Sequence, residues 1–206
     1  MNSDFEEIKS ILLQLKLDYE KWNGNSEINA ITPITERDIV AEIYCRLKSF
    51  CNERNLSTHC EIKPAPSILS DISVLKRLPR IDNVILKDIG EKRWISHAMN
   101  FQDKYKKGLI EARFSSIPVE FFHTAIEVKI QSNIEGAKMD IGKLKDIQDI
   151  NQDCNCIFIL LNARGKIFDH DSILEYAKKQ NIFVIEYACN KSTKPSNENQ
   201  IQLKRF

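Results

Sequence analysis

The sequence predicts an α/β fold in which a mixed central sheet of about five strands is flanked by helices. Three observations support this prediction. Apolar, β-branched stretches of strand length alternate with longer stretches whose apolar residues recur at helical spacing. In the C-terminal half this alternation is regular, which is typical of parallel strands joined by helices. The 206 residues, 42% of them hydrophobic, suit one domain with a sizeable core.

Composition and charge limit the classes of function. The formal net charge is +1 and 29% of the residues are charged, so any surface that binds nucleic acid would have to be a local patch. The chain has neither an apolar run of membrane-spanning length nor a signal-peptide pattern, and we expect a cytoplasmic protein that does not contact the membrane. The six cysteines should then be reduced. Their spacing does not match a zinc site.

The first quarter of the chain predicts two helices. Residues 4–22 carry one apolar stripe, so that the segment 1–30 forms an N-terminal amphipathic helix ahead of the main domain. A second helix is predicted at 35–51, where Thr35 suits the N-cap position and Asp38 stands three residues later. The residues predicted to form its buried stripe are Ile39, Ile43, Leu47 and Phe50.

Five stretches of the chain predict strands. They are 57–63, with a loop from Pro64, then 80–86, 124–130, 156–162 and 181–187. The stretch 156–162 has no internal charge and should lie centrally in the sheet or be covered on both faces. Helices predicted at 138–150 and 172–180 separate the last three strands. The buried side of the first of these helices is predicted to consist of Met139, Ile141, Leu144, Ile147 and Ile150.

The segment 91–122 mixes basic with aromatic residues, and we predict a helix over 93–112 and a loop around Pro118. Such a mixture suits contact with a phosphate backbone, and a solvated helix face with aromatic core residues is the alternative. The residues assigned to nucleic-acid binding are Lys92, Arg93, Lys104, Lys106, Lys107 and, on the helix at 138–150, Lys143. The polar tail 190–206 is predicted to be disordered.

Two charged residues interrupt the strand at 124–130. Glu127 and Lys129 are two residues apart, so they share one face of the sheet, while Ile126 and Val128 point toward the core on the other. A charge in the middle of such a strand is costly unless it is paired or binds a metal. The two residues alone therefore fit either a metal-dependent phosphodiesterase or a cross-strand ion pair.

The order of the motifs resembles the PD-(D/E)XK nuclease superfamily, which has the restriction-endonuclease-like fold. The resemblance is carried by Pro79-Arg80-Ile81-Asp82, followed by Ile126-Glu127-Val128-Lys129. Thr35-Glu36-Arg37-Asp38-Ile39 resembles the helix that carries an early glutamate in that fold, and Asp140-Ile141-Gly142-Lys143-Leu144 resembles the helix after the second motif in archaeal Holliday-junction resolvases. The resemblance covers 35–187 and makes 31–189 the nuclease domain, with an insertion at 91–122.

The chain departs from the family pattern in two places. Two residues separate Pro79 from Asp82, and the distance from Asp82 to Glu127 is longer than in the small resolvases. The longer distance points away from resolvase activity itself and toward a distinct insertion that contacts the substrate.

The resemblance implies a Mg²⁺-dependent deoxyribonuclease, in which Mn²⁺ would substitute for Mg²⁺. A divalent ion stabilises charge on the phosphorane oxygens and acidifies the attacking water. Asp82 and Glu127 would hold this ion, with the backbone carbonyl of Val128 as a third oxygen by analogy with the family. Lys129 would position or activate the water and screen phosphate charge.

A further acid and the partners follow from the same resemblance. Glu36 would reach the site from its helix, and Glu42 is the alternative acid. DNA is the expected substrate, in restriction, phage defence, recombination or repair, and RNA or branched DNA are alternatives. A homodimer, or companion subunits of a defence or recombination complex, would suit the cutting of both strands. The alternative function is a catalytically idle nucleic-acid-binding or assembly module on the same fold.

Overall fold

A computed structural model describes residues 3–24, 35–65, 80–87, 116–130, 134–162 and 170–188 of the chain. The helices in this part are α1 (Ser3–Gly24), α2 (Glu36–Glu53), α3 (Ile134–Ile150) and α4 (His170–Lys179). The strands are β1 (Ser57–Ala65), β2 (Ile81–Leu86), β3 (Ser116–Pro118), β4 (Phe122–Ile130), β5 (Asn155–Asn162) and β6 (Phe183–Ala188). A 3-10 turn, Val119–Phe121, joins β3 to β4.

The strands form one mixed sheet in the order β3-β1-β2-β4-β5-β6. β2 pairs antiparallel with both β1 and β4, whereas β4, β5 and β6 are parallel to one another. This confirms the α/β class, the mixed sheet and the parallel C-terminal strands. Two predicted loops were wrong: β1 continues through Pro64 to Ala65, and the region of Pro118 forms β3, because these two stretches pair with each other in parallel.

The helices lie in two layers, one on each face of the sheet. Apolar side chains of α1 and α2 pack on a face formed by residues such as Ile126 and Val128, which confirms that these two point toward a core. α3 and α4 pack on the opposite face. β5 lies between β4 and β6, and its side chains from Cys156 to Leu161 are all buried, as the absence of internal charge predicted.

The buried side of α3 differs from the prediction. The helix begins at Ile134, four residues earlier than expected, and its buried residues are Ala137, Asp140, Ile141, Leu144 and Ile147. Met139 is 70% exposed and Ile150 is 42% exposed. Met139 lies two residues from both Ala137 and Ile141, which places it on the opposite side of a helix that turns about 100° per residue.

Ion pairs and one buried hydrogen bond tie α1 to the rest of the domain. Arg46 of α2 contacts Asp18 of α1 at 2.9 Å. The Tyr187 hydroxyl of β6 donates a hydrogen bond to the Leu12 carbonyl at 2.7 Å. The apolar stripe of α1 packs within the chain, against α2 and the sheet. Among the described helices, none is long and apolar enough to cross a membrane.

A capping box fixes the start of α2. The Asp38 N–H donates to Thr35 Oγ1 at 3.3 Å, and the Thr35 N–H donates to Asp38 Oδ2 at 2.7 Å. We expect Thr35→Ala to lower the free energy of unfolding by about 1 kcal/mol, because the orphan N–H of the first turn loses its acceptor. Urea denaturation measures this, with the exposed Ser49→Ala on the same helix as control. Equal losses in both variants would contradict the capping role.

Candidate active site

The candidate site lies where strands β2 and β4 separate. Their paired residues extend as far as Asn83 and Ile126. Beyond this last pair, Asp82 precedes Asn83 on β2 and Glu127 follows Ile126 on β4. Here the Val128 N–H of β4 donates its hydrogen bond to the Asp82 side chain, with Oδ2 at 2.8 Å, and not to a backbone carbonyl of β2. Because Ile126 and Val128 face α1 and α2, Glu127 and Lys129 face α3. Asp82 and Glu127 therefore lie together at the point where the backbone pairing of β2 and β4 ends.

The two carboxyl groups form a buried, electrostatically unfavourable pair. The Glu127 side chain is only 3% exposed. Burial raises the pKa of Glu127 to about 10, and the charge of Asp82 and a hydrogen bond with it add to this increase. Burial also raises the pKa of Asp82 to about 6, although the Val128 N–H opposes the change. In the absence of a cation, the pair therefore holds a proton near neutral pH.

Two lysines of the site contact Asp140 of α3, and the charge of one of them, Lys143, lowers the pKa of both Asp82 and Glu127. Lys129 Nζ lies 3.1 Å from Asp140 Oδ2. Lys143 Nζ lies 2.6 Å from Asp140 Oδ1 and 3.7 Å from Glu127 Oε1. Burial lowers the pKa of each lysine, but nearby carboxyl groups raise it by more. Asp140 raises the pKa of Lys129, and Glu127 and Asp140 raise the pKa of Lys143. The net pKa of each is raised, so both are ammonium groups.

Glu36, at the start of α2, acts on the same site. Its charge raises the pKa of both Asp82 and Lys129. The alternative acid, Glu42, instead accepts a hydrogen bond of 2.8 Å from Arg46, the residue that connects α2 to α1. Of the two candidate helix acids, the electrostatic influence on Asp82 and Lys129 favours Glu36.

Two acids at the site were not predicted. Asp140 is only 4% exposed. A signal for it existed in the sequence, because it stands three residues after Ala137 and four before Leu144, on the apolar side of α3. Glu61 of β1 lies between the pairs Cys60–Asn83 and Ile62–Ile81; its side chain is exposed and 3.8 Å from Arg80, and its charge raises the pKa of Asp82. The position of Glu61 near Asp82 follows from the register of β1 and β2, which the sequence alone does not give.

The backbone at Glu61 is unusual. Its φ of 55° lies in the left-handed region, as do those of Asn55 and Asn181. The two asparagines follow the ends of α2 and α4, where this conformation is common. Glu61 lies inside a strand, where the conformation is unfavourable for a residue with a Cβ atom.

Other predicted site residues are placed differently or lie outside the described residues. Lys143 lies between Glu127 and Asp140, and its side chain is 22% exposed. The Val128 carbonyl stays a predicted ligand. His123 lies four residues before Glu127 on β4, about 13 Å away along a strand, and contacts Thr124 Oγ1 at 2.9 Å. The predicted DNA-contacting residues outside the described part are Lys92, Arg93, Lys104, Lys106 and Lys107.

The donor groups fit a hard cation such as Mg²⁺. Glu127 Oε1 is buried and has no hydrogen-bond partner, and an ionised carboxylate in that state needs a positive charge nearby. In the described part of the chain, no group of three or more His, Cys, Asp or Glu side chains is arranged to hold a metal. A cation here would be held by Asp82 and Glu127 and would keep most of its waters, which Mg²⁺ commonly does.

Comparison of the chain with protein-family models, with curated proteins and with solved structures finds no match.

Proposed function

We propose that the chain is a Mg²⁺-dependent deoxyribonuclease with a restriction-endonuclease-like fold, and that Mn²⁺ substitutes for Mg²⁺. The observation that carries the proposal is the separation of β2 from β4. Asp82 and Glu127 meet there, Lys143 Nζ lies 3.7 Å from Glu127 Oε1, and the charge of Glu36 acts on Asp82 and Lys129 from α2. Glu36, Asp82, Glu127 and Lys129, which contacts Asp140, are the residues on which the family resemblance rests.

The buried acids support a catalytic role more than a purely structural one. An unpaired oxygen of a buried carboxyl group destabilises the fold, and an apolar residue would pack there at lower cost. A site that must bind a cation needs that oxygen. We therefore favour an active nuclease over a catalytically idle nucleic-acid-binding module.

Each residue has a separate role in the proposed hydrolysis. A bound divalent cation supplies Lewis acidity and a more acidic water. Asp82 and Glu127 would hold the cation, and the pair would then lose the proton that burial makes it keep near neutral pH. Lys129 remains an ammonium group because its pKa is raised, so it orients the attacking water and offsets phosphate charge and does not act as a base. Glu36 orients solvent in the site from the start of α2.

The direct test is cleavage of supercoiled plasmid DNA with Mg²⁺, with Mn²⁺ and with EDTA. We expect nicked or linear product that depends on the divalent ion. A panel of duplex, single-stranded and branched DNA and of RNA, at one salt concentration, defines the substrate class. Absence of cleavage across the whole panel, together with retained DNA binding and no Mg²⁺ binding by calorimetry, would favour the idle module.

The helix acid gives a sharper test. We expect Glu36→Gln to slow cleavage by about 10- to 100-fold, a typical loss for a residue that supports metal ligands and water. Glu42→Gln should leave the cleavage rate unchanged, since Glu42 pairs with Arg46 away from the site. Both rates are measured at saturating metal. A slow Glu42 variant beside a fast Glu36 variant would reverse the assignment.

A further inference from the structure

Asp140 has no role in the proposed hydrolysis, yet it contacts both lysines of the site. Its carboxylate is 6% exposed and lies 3.1 Å from Lys129 Nζ and 2.6 Å from Lys143 Nζ. One buried acid on α3 therefore holds two cations, one from β4 and one from its own helix.

The position of Lys143 depends on a competition between two acids. Its Nζ is within hydrogen-bonding distance of Asp140 Oδ1 but 3.7 Å from Glu127 Oε1, an oxygen without a hydrogen bond. If the charge of Asp140 were removed, Glu127 would be the closest acid to Lys143 among the ion pairs of the described residues. A shift of about 1 Å would then form a normal hydrogen bond between them.

A purely structural reason for Asp140 is weak. Its helical neighbours Ala137, Ile141 and Leu144 bury apolar side chains against the sheet. Buried ion pairs are often replaceable by apolar residues without loss of stability, because desolvation of the charges offsets their attraction. An acid at this position of α3 is therefore better explained by what it does to the two lysines.

We infer that Asp140 is a positioning residue that holds both ammonium groups and keeps Lys143 away from Glu127, so that the Glu127 oxygen stays open to a hard divalent cation. The first half of this inference concerns the metal-free protein. The second half rests on the proposed function.

The first experiment measures lysine reactivity in the metal-free protein. Lysines are acylated under limiting reagent and the extent at each position is determined by mass spectrometry. We expect Asp140→Asn to increase the acylation rate of Lys129 several-fold and to leave Lys145 unchanged. Asp149→Asn is the matched control, because Asp149 forms an ion pair with Lys145 on the exposed side of the same helix. It should affect Lys145 alone. An unchanged rate at Lys129 in Asp140→Asn would overturn the positioning role.

The second experiment measures Mn²⁺ binding by calorimetry. We expect Asp140→Asn to weaken binding by about tenfold, because a neutral amide holds Lys143 less strongly than a carboxylate does and Lys143 then shifts toward the Glu127 oxygen. Adding Lys143→Met to this variant should restore most of the affinity, since the competing ammonium is gone. A merely structural defect would not be repaired by a second substitution.

The outcomes separate the inference from the proposed function. Equal affinity of the wild type and Asp140→Asn, or no recovery in the double variant, would overturn the claim that Asp140 keeps Glu127 open. No Mn²⁺ binding by the wild type would count against the proposed function and that claim together. The acylation result still decides whether Asp140 holds Lys129.

Discussion

Asp82→Asn is expected to reduce divalent-ion-dependent cleavage by about 10³-fold or more, which corresponds to several kcal/mol of lost charge stabilisation. The substitution is nearly isosteric. The amide oxygen of the new side chain can still accept the hydrogen bond that the Val128 N–H makes to Asp82. The fold should therefore persist while the negative charge disappears. Initial cleavage rates and urea unfolding, measured on the same preparation, separate the two effects.

Two further variants complete this test. Lys129→Met should cause a comparable loss, because it removes the ammonium group that orients the attacking water in the proposed hydrolysis. Asp153→Asn and Lys145→Met change exposed or partly exposed charges outside the site and serve as controls. Full activity in both Asp82→Asn and Lys129→Met would rule out the assignment of the site.

Glu127→Gln should have opposite effects on activity and on stability. It should abolish cleavage, yet stabilise the metal-free protein near pH 7. The pKa of the carboxyl group rises from its ordinary value of 4.5 to about 10 on folding. Between these values the folded state keeps a proton that the unfolded state has released, so stability falls as pH rises above 4.5. Glutamine does not titrate and avoids this loss.

The size of the effect follows from the pH interval. Each pH unit above the ordinary pKa contributes about 1.4 kcal/mol, so the stabilisation by Glu127→Gln reaches up to about 3 kcal/mol near pH 7. Near pH 4.5, the ordinary pKa of the carboxyl group, the stabilisation almost vanishes. Urea unfolding in EDTA at both pH values measures it, with the exposed Glu175→Gln as control. The raised pKa of Asp82 also makes the folded state less stable as pH rises, but only between its ordinary pKa of 3.8 and about 6. Equal stability of Glu127→Gln and the wild type near pH 7 would contradict the burial argument.

Local patterns explain why much of the fold was predictable. The spacing of apolar residues predicted the ends of most described helices and strands to within a few residues. The uncharged run of β5 predicted its central position, and the capping residues predicted the start of α2. Glu127 and Lys129 were visible as candidates because charge within a buried strand contradicts the local pattern.

The remaining features depend on tertiary structure. Glu61 lies at the site only because β1 and β2 pair in one particular register. Asp140 was not predicted because an acid within a helix ordinarily faces solvent, whereas the buried side of α3 includes Asp140 and leaves Met139 exposed. The competition between Glu127 and Asp140 for Lys143 is a matter of about one ångström, which sequence spacing does not determine.

The left-handed backbone at Glu61 has a consequence for protein engineering. Glu61→Gly would relieve a conformational penalty of about 1 kcal/mol or more, and Glu127→Gln and Asp82→Asn would each remove a raised pKa. A programme that selected only for thermostability would therefore choose these positions early. It would obtain a more robust scaffold but would discard Asp82 and Glu127, on which the proposed chemistry depends. Stabilised versions of this protein should therefore be sought at positions such as exposed Met139, away from the separation of β2 and β4.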